Sequence, residues 1–285
     1  MKKRSFFYLK QSHLSILSAD TLTPAQRADA IKKLLYEADI ATTQCVTALS
    51  DVVVNSRWLR FDPSVAQDLD TAIQWIIEEQ APRLLDTLYF DYQVFTGEPT
   101  DSHDAYLDVL LVLCRKEYLD RHLEVLAQAN LTPLFIEVNS HALERAYTTF
   151  YPHESINQVL VIELGTSQMT FLFTMENQRS HSYSETVEDQ IDLGAQLQKI
   201  QSIVNGLLVC YTHLCWTKIL LLGTNHTLIA CLQEKLSKHY SFVVEVITSS
   251  PYLFFDSGPP NQSSEREFFS SLFLSLGLAL RGLLI

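Results

Sequence analysis

Hydrophobic and polar positions change period several times along the chain, and the second half parses first. Apolar runs predict strands at 157–164 and 168–174, with further strands at 178–184, 217–222 and 241–247. Helical periods occupy about 190–214, 226–239 and 266–282. The longest of these rests on Leu193, Leu197, Ile200, Val204, Leu207 and Tyr211, spaced alternately by four and three, which makes one apolar stripe. The resulting order is βββαβαβα.

The first half repeats a reduced version of that order: strands near 5–9 and 13–18, a helix at 24–38, a strand at 44–49, then a strand at 134–138 and a helix at 140–149. Thr23, Pro24 and Gln26 mark the first helix start as a Thr-x-x-Gln capping box with proline at the first helical position. The stretch 52–132 interrupts this pattern with strand, helix, strand, strand and a closing helix. Its first helix begins at Asp62-Pro63, gathers Leu69, Ala72, Ile73, Ile76 and Ile77 on one face, and stops before Pro82. Its last helix ends at Asn130, a residue tolerant of the left-handed conformation that closes helices. These orders predict an α/β protein of actin-like type. It has two ribonuclease-H-like halves, 1–51 with 133–155 and 156–285, and an inserted strand-helix-strand-strand subdomain at 52–132.

Composition narrows the partners. With 285 residues and 47% apolar content the chain can bury substantial cores. Thirty-three acidic residues against 21 basic ones argue against nucleic acid, which calls for clustered Lys and Arg. Cys45, Cys114, Cys210, Cys215 and Cys231 are odd in number, lack Cys-x-x-Cys spacing and lie in apolar runs, so they are expected as buried reduced thiols of a cytosolic protein. Lys10 cuts short the apolar run after the basic start MKKR, so no secretion signal is read there. The apolar stretches 203–222 and 268–285 carry Lys218 and Arg281, each costing roughly 2.5–3.5 kcal/mol at mid-bilayer, so both are expected inside a soluble fold.

The chemistry-bearing stretch is VLVIELGTSQMTFLF, from Val159 to Phe173. In its Glu163-Leu164-Gly165-Thr166-Ser167 turn, glycine removes the Cβ that would block an anion, and the two hydroxyls add donors. Such a glycine also serves backbone shape alone, and the residues leave both readings open. No P-loop, Gly-x-Ser-x-Gly elbow, Gly-x-Gly-x-x-Gly or His-Glu-x-x-His is present, and no catalytic residue is assigned. Asp101, His103 and Asp104 read as solvated loop residues, and Cys210 with His213 as packing, so no metal is expected. Arg281 reads equally as a cleft residue or as a cation at a helix C-terminus.

DVLLVLCRKEYLDRHLEVLAQANLTPLFIEVNSHALERAY (Asp108 to Tyr147), the upstream VVVNSRWLRF and FDYQVF, and the ending SLGLALRG resemble the PilM family of type IV pilus assembly proteins. The resemblance covers most of the chain. It implies an FtsA-like fold, ATP binding in a central cleft, and docking of the N-terminal tail of the inner-membrane protein PilN beside the insertion. The family's first phosphate loop is replaced by FFYLKQSHLSIL, without Asp or Gly near Lys10 to Ser12. The second persists as Glu163, Gly165, Thr166 and Ser167, with Glu where the family has Asp. The adenosine loop reads LLLGTNHTL, with Thr224 following Gly223 where the family has a second glycine. Only HSYSETVEDQID separates the third strand from the long helix, so the lobe that closes over nucleotide is reduced.

The cofactor expectation is therefore none, or weak ATP with magnesium, held by Glu163, Gly165, Thr166, Ser167, Gly223 and Thr224. The expected function is a cytoplasmic component of type IV pilus or competence machinery. It binds a PilN-like N-terminal tail, meets other pilus assembly proteins, and sits at the inner membrane through its partner. The alternative is an active actin-like ATPase or phosphotransferase. A type II secretion relative is disfavoured because no membrane-spanning helix is read after the domain.

Overall fold

A computed structural model of the chain describes residues 7–9, 22–80, 82, 85–96, 106–152, 159–165, 168–174, 180–187, 192–212, 214, 216–250, 252–255 and 264–283. The first half comprises β1 (Phe7–Leu9), α1 (Pro24–Glu37) and β2 (Gln44–Leu49), followed by β3 (Val54–Phe61), α2 (Leu69–Gln80), β4 (Leu88–Thr96), β5 (Leu107–Arg115), α3 (Lys116–Gln128), β6 (Thr132–Val138) and α4 (Asn139–Phe150). The second comprises β7 (Val159–Leu164), β8 (Gln168–Thr174), β9 (Ser180–Thr186), α5 (Leu193–Cys210), β10 (Lys218–Gly223), α6 (His226–His239), β11 (Val243–Val246), β12 (Leu253–Phe255) and α7 (Ser264–Gly282).

The second half builds a five-stranded sheet in the order β11-β10-β7-β8-β9. β7, β10 and β11 run parallel through helical crossovers, whereas β8 turns back against β7 as a hairpin. All residues of β7 are buried because both sheet faces are covered. Leu160, Ile162, Phe171, Ile219 and Leu221 meet α5 and α6 through Ile200, Val204, Leu228, Leu232 and Leu236. Val159, Val161, Leu220 and Leu222 meet α4 and α7 through Leu143, Tyr147, Phe269, Phe273 and Leu276. The α4–α7 crossing is close enough that a Cβ on Gly277 would collide with the Ala142 carbonyl. This strand order, with its hairpin and crossovers, is the actin-like α/β arrangement expected from the sequence.

β2 and β6 pair in parallel and are covered by α1 and α3, whose Ala28, Val125, Leu126 and Ala129 share one small core with Leu131. β3, β5 and β4 form a separate antiparallel sheet in that order. α2 lies on one face of it, with Leu69, Ile73 and Ile77 against Val109, Leu111 and Leu113. α2 is preceded by a 3₁₀ turn, Pro63–Asp68, where Asp62 accepts from the Ser64 amide at 2.8 Å.

Several local expectations hold. The Thr23–Gln26 capping box is formed, and Asn130 takes φ 59°. Others shift. The long helix stops at Cys210, where Tyr211 leaves helical geometry with φ −118° while its amide still donates to Leu207. Leu193, placed on the stripe, is exposed at the first position of α5. Cys210 is likewise exposed rather than buried, on the outer side of the helix end. The third strand of the second half runs two residues later than expected, at Ser180–Thr186. β1 pairs with β12, a short strand with no clear signature in the sequence. The strand expected at 13–18 lies outside the described residues. No described helix is long and apolar enough to cross a membrane.

Candidate functional site

Two turns meet where β7 and β10 end, since the parallel register sets Gly223 beside Leu164. Gly223 has φ +130°, and a Cβ there would strike the Leu164 backbone, so only glycine fits. Beyond it the Thr224 amide donates to the Leu164 carbonyl at 3.0 Å and the Asn225 amide to the same oxygen at 3.4 Å. The Gly223 amide donates to Ser270 Oγ at 3.1 Å. Asn225 then caps α6 by accepting from the Leu228 amide. The Gly165 amide donates across its own hairpin to Gln168 O at 3.0 Å. Glu163, Gly165, Gly223 and Thr224 are thus brought together, while Thr166 and Ser167 lie outside the described residues. Thr224 Oγ1 is buried without a hydrogen-bond partner among the described residues.

Glu163 points to the α4/α7 side of the sheet and is buried at 9% exposure. Burial, and then the neighbouring charge of Asp51, pushes its pKa from 4.5 up to about 8. Burial thus favours the protonated form of this side chain. Asp51, just past β2, accepts from the Ser140 amide at the start of α4 (3.0 Å) and from Ser182 Oγ on β9 (3.1 Å). Further hydrogen bonds cross between the halves: Ser50 Oγ donates to Gln168 Oε1, Ser180 Oγ donates to Glu144, and Trp58 Nε1 donates to Ser180 O at 3.1 Å. His141 sits in this seam. Burial lowers its pKa, while Glu144, Asp51 and Glu137 act in the opposite sense. Arg281, by contrast, stacks 4.4 Å over Phe135 and pairs with Glu137 at 3.4 Å, the carboxylate that Arg145 also grips.

A groove of about 510 Å³ opens between α1, the end of β2, α3 and the start of β8. Ile31, Leu49, Val52, Val53 and Val125 give it apolar walls, with Arg27, Tyr118, Arg121 and His122 at its polar margin. His122 is held by Thr47 Oγ1 at 3.0 Å, and its pKa is lowered by burial and by the charge of Arg27. A smaller cavity of about 400 Å³ lies between β3, the start of α4 and β9, lined in part by Ser56, Trp58, His141 and Ser182. Among the described residues no three His, Cys, Asp or Glu side chains group to hold a metal. Sequence reasoning named none of Asp51, Gln168 or the groove residues. They come from elements far apart in the chain, and no local pattern joins them.

With this geometry in view, the chain can be set beside known proteins. A family model described as type IV pilus assembly protein PilM matches residues 16–188, more than half of the chain. A solved structure of a PilM–PilN type IV pilus biogenesis complex is similar with a TM-score of 0.78 and 18% identity, covering 99% of each chain. The cytoplasmic domain of EpsL, an inner-membrane component of the type II secretion system of Vibrio cholerae, aligns with a TM-score of 0.42 and 11% identity over 89% of this chain and 80% of that one. A protein of actin-like ATPase fold from Bacteroides thetaiotaomicron gives 0.40 and 12% over 77% and 75%.

Proposed function

The chain belongs to the family of the type IV pilus assembly protein PilM, and from that membership we propose that it is a binding platform whose groove receives the N-terminal tail of a PilN-like inner-membrane protein. The observation that carries this reading is the groove itself. Its walls are aliphatic, its margin offers a tyrosine and two arginines, and it lies between α1 and α3 where the first half meets the chain entering β3. An extended peptide with one apolar side chain directed inward suits such a cleft. A partner anchored in the membrane then holds this chain at the cytoplasmic face of the inner membrane, where it connects to the other pilus or competence proteins.

The crevice at β7 and β10 supports a secondary role for nucleotide at most. Tested against a magnesium nucleotide, the described residues fit poorly. The Gly165, Gly223 and Thr224 amides that would face phosphate or adenosine already donate to Gln168, Ser270 and Leu164. We propose no hydrolytic step.

The test titrates a synthetic N-terminal peptide of the PilN-like partner against the full chain. Saturable binding that is abolished by Arg121→Glu and weakened by Tyr118→Ala is the expected result. No binding at high micromolar peptide defeats the proposal. In parallel, thermal unfolding is followed with and without magnesium ATP. A ligand at a hundredfold excess over its Kd stabilises by about 2.7 kcal/mol; such a shift, lost in Gly165→Val, together with phosphate release from ATP, would establish the ATPase alternative instead.

A further inference from the structure

Between Leu49, where β2 ends, and Val54, where β3 begins, residues 50–53 carry the chain from one sheet to another and pair with no described strand. Their shape therefore rests on local and side-chain bonds. Ser50 Oγ accepts from the Val52 amide at 3.2 Å and donates to Gln168 Oε1 at the start of β8, while the Val53 amide donates to the Ser50 carbonyl at 3.1 Å. Asp51 reaches elsewhere. One of its carboxylate oxygens accepts from the Ser140 amide at 3.0 Å, in the first turn of α4 where the helix dipole favours an anion, and the other accepts from Ser182 Oγ of β9 at 3.1 Å. Ser50, Val52 and Val53 meanwhile line the groove, together with Gln168 and Thr186 of the second half. Ser182 and Ser140 line the smaller cavity instead. One short turn thus has the groove on one side and the seam between the halves on the other.

We propose that Asp51 is a positioning residue for the groove: it holds the 50–53 turn to α4 and β9, and through that turn it ties occupancy of the groove to the joint between the two halves. Positioning is a property of the free chain, whereas the tie to occupancy rests on the groove being the partner's site. Val52 and Val53 form an apolar wall only while the backbone beneath them is fixed. A carboxylate shared between a first-half amide and a second-half hydroxyl fixes it from both sides. Were Asp51 only a cap for α4, its bond to Ser140 would suffice and Ser182 would not matter to the groove. Linkage makes the effect reciprocal: if the seam bonds favour the shaped groove, a peptide that needs that shape strengthens the seam by the same factor. Occupancy of the groove is then felt at Ser182, which does not line it.

Hydrogen exchange and titration with the PilN-like N-terminal peptide, run on the full-length wild type, Asp51→Ala, Ser182→Ala and Ser250→Ala, test this role. Ser250→Ala is the control for a general loss of stability, since it removes a buried hydroxyl that bonds the Phe150 carbonyl at the other end of α4. In the free chain, Asp51→Ala and Ser182→Ala are expected to speed exchange of the Val52 and Val53 amides by about tenfold and about fivefold, and to weaken the peptide by similar factors. Ser250→Ala is expected to change either quantity by less than about twofold. The peptide should slow exchange across 180–184 in the wild type and not in Ser182→Ala. Ser182→Ala deletes one exposed hydroxyl, so it keeps the test available if Asp51→Ala fails to fold. Unchanged exchange at Val52 and Val53 in the free Ser182→Ala chain overturns the proposal, as does an equal effect of Ser250→Ala. Peptide affinity that is unmoved by Ser182→Ala overturns the tie to occupancy. A wild type that ignores the peptide defeats the groove function instead, and the free-chain exchange rates then decide the positioning role by themselves.

Discussion

The five-stranded sheet and the three-stranded sheet are built from similar residues and stand in opposite relation to water. Val161, Ile162, Phe171 and Leu172 in the larger one are at most 1% exposed, because helices cover both faces. The smaller one has α2 on one face, and Tyr89 and Phe95 on the other, beside Asp120 of α3 and Trp58, are more than one-third exposed. The lesson concerns where binding is possible. At the ends of the larger sheet the Gly165, Gly223 and Thr224 amides donate to Gln168, Ser270 and Leu164, and Asp51 bonds across to Ser182 of β9. Along the groove beside α1 and α3, apolar surface remains open among the described residues. A frame covered on both faces, bordered by a thinner layer and a groove, suits the proposed role of a protein that holds partners.

The comparison breaks most visibly at Gly277. Replacing it with valine drives a side chain into the Ala142 backbone at the α4–α7 crossing, which a close-packed interior cannot absorb. A loss of about 3 kcal/mol or more is expected in urea unfolding; a loss below about 1 kcal/mol would mean that the two helices are free to separate. Ile73→Ala opens a cavity under α2 in the thin layer and should cost about 2–5 kcal/mol. Limited proteolysis should then cut rapidly within 54–115 while 159–246 stays resistant, and simultaneous cleavage of both would show that the layers unfold together.

A pH titration sharpens the contrast at the crevice. Glu163 holds its proton to about pH 8 in the folded chain, whereas its ordinary value is 4.5. Between those values the unfolded state has released the proton and the folded state has not, so stability falls as pH rises, by on the order of a few kcal/mol across the window. Glu163→Gln should flatten that slope in denaturant curves taken from pH 5 to 8; an unchanged slope would place the titrating group elsewhere. The smallest effect is expected at Thr224, whose hydroxyl is buried without a partner among the described residues. Thr224→Val should leave stability unchanged or raise it by up to about 1 kcal/mol, since an unpaired buried hydroxyl contributes a desolvation cost. A thermal scan that reports a clear loss would reveal a partner for that oxygen.

Much of the frame was legible because local rules and tertiary packing agree there. The expected helix at 226–239 coincides with α6, whose Leu228, Leu232 and Leu236 are buried, and β2 coincides with the predicted 44–49. The end of α5 was not legible, since Tyr211 and Leu214 still pack with the core beyond the helix end. Nor was β12, whose three residues are strand only because β1 lies beside them. At the crevice, glycine chemistry pointed to Gly165 and Gly223, and the positive φ of Gly223 carries the turn that brings Thr224 against Leu164. Asp51 escaped notice because its meaning depends on Ser140 and Ser182, 89 and 131 residues away. The groove is a property of several elements in space, and no single stretch of sequence encodes it.

The central claim is that this PilM-family chain works through its groove rather than its crevice. Hydrogen exchange on the full chain, alone, with the PilN-like N-terminal peptide, and with magnesium ATP, tests it most directly. The account predicts that the peptide slows exchange in α1, α3 and 48–53, and that magnesium ATP leaves 163–168 and 223–226 unchanged. Protection of the crevice by magnesium ATP, with the groove indifferent to peptide, would contradict it.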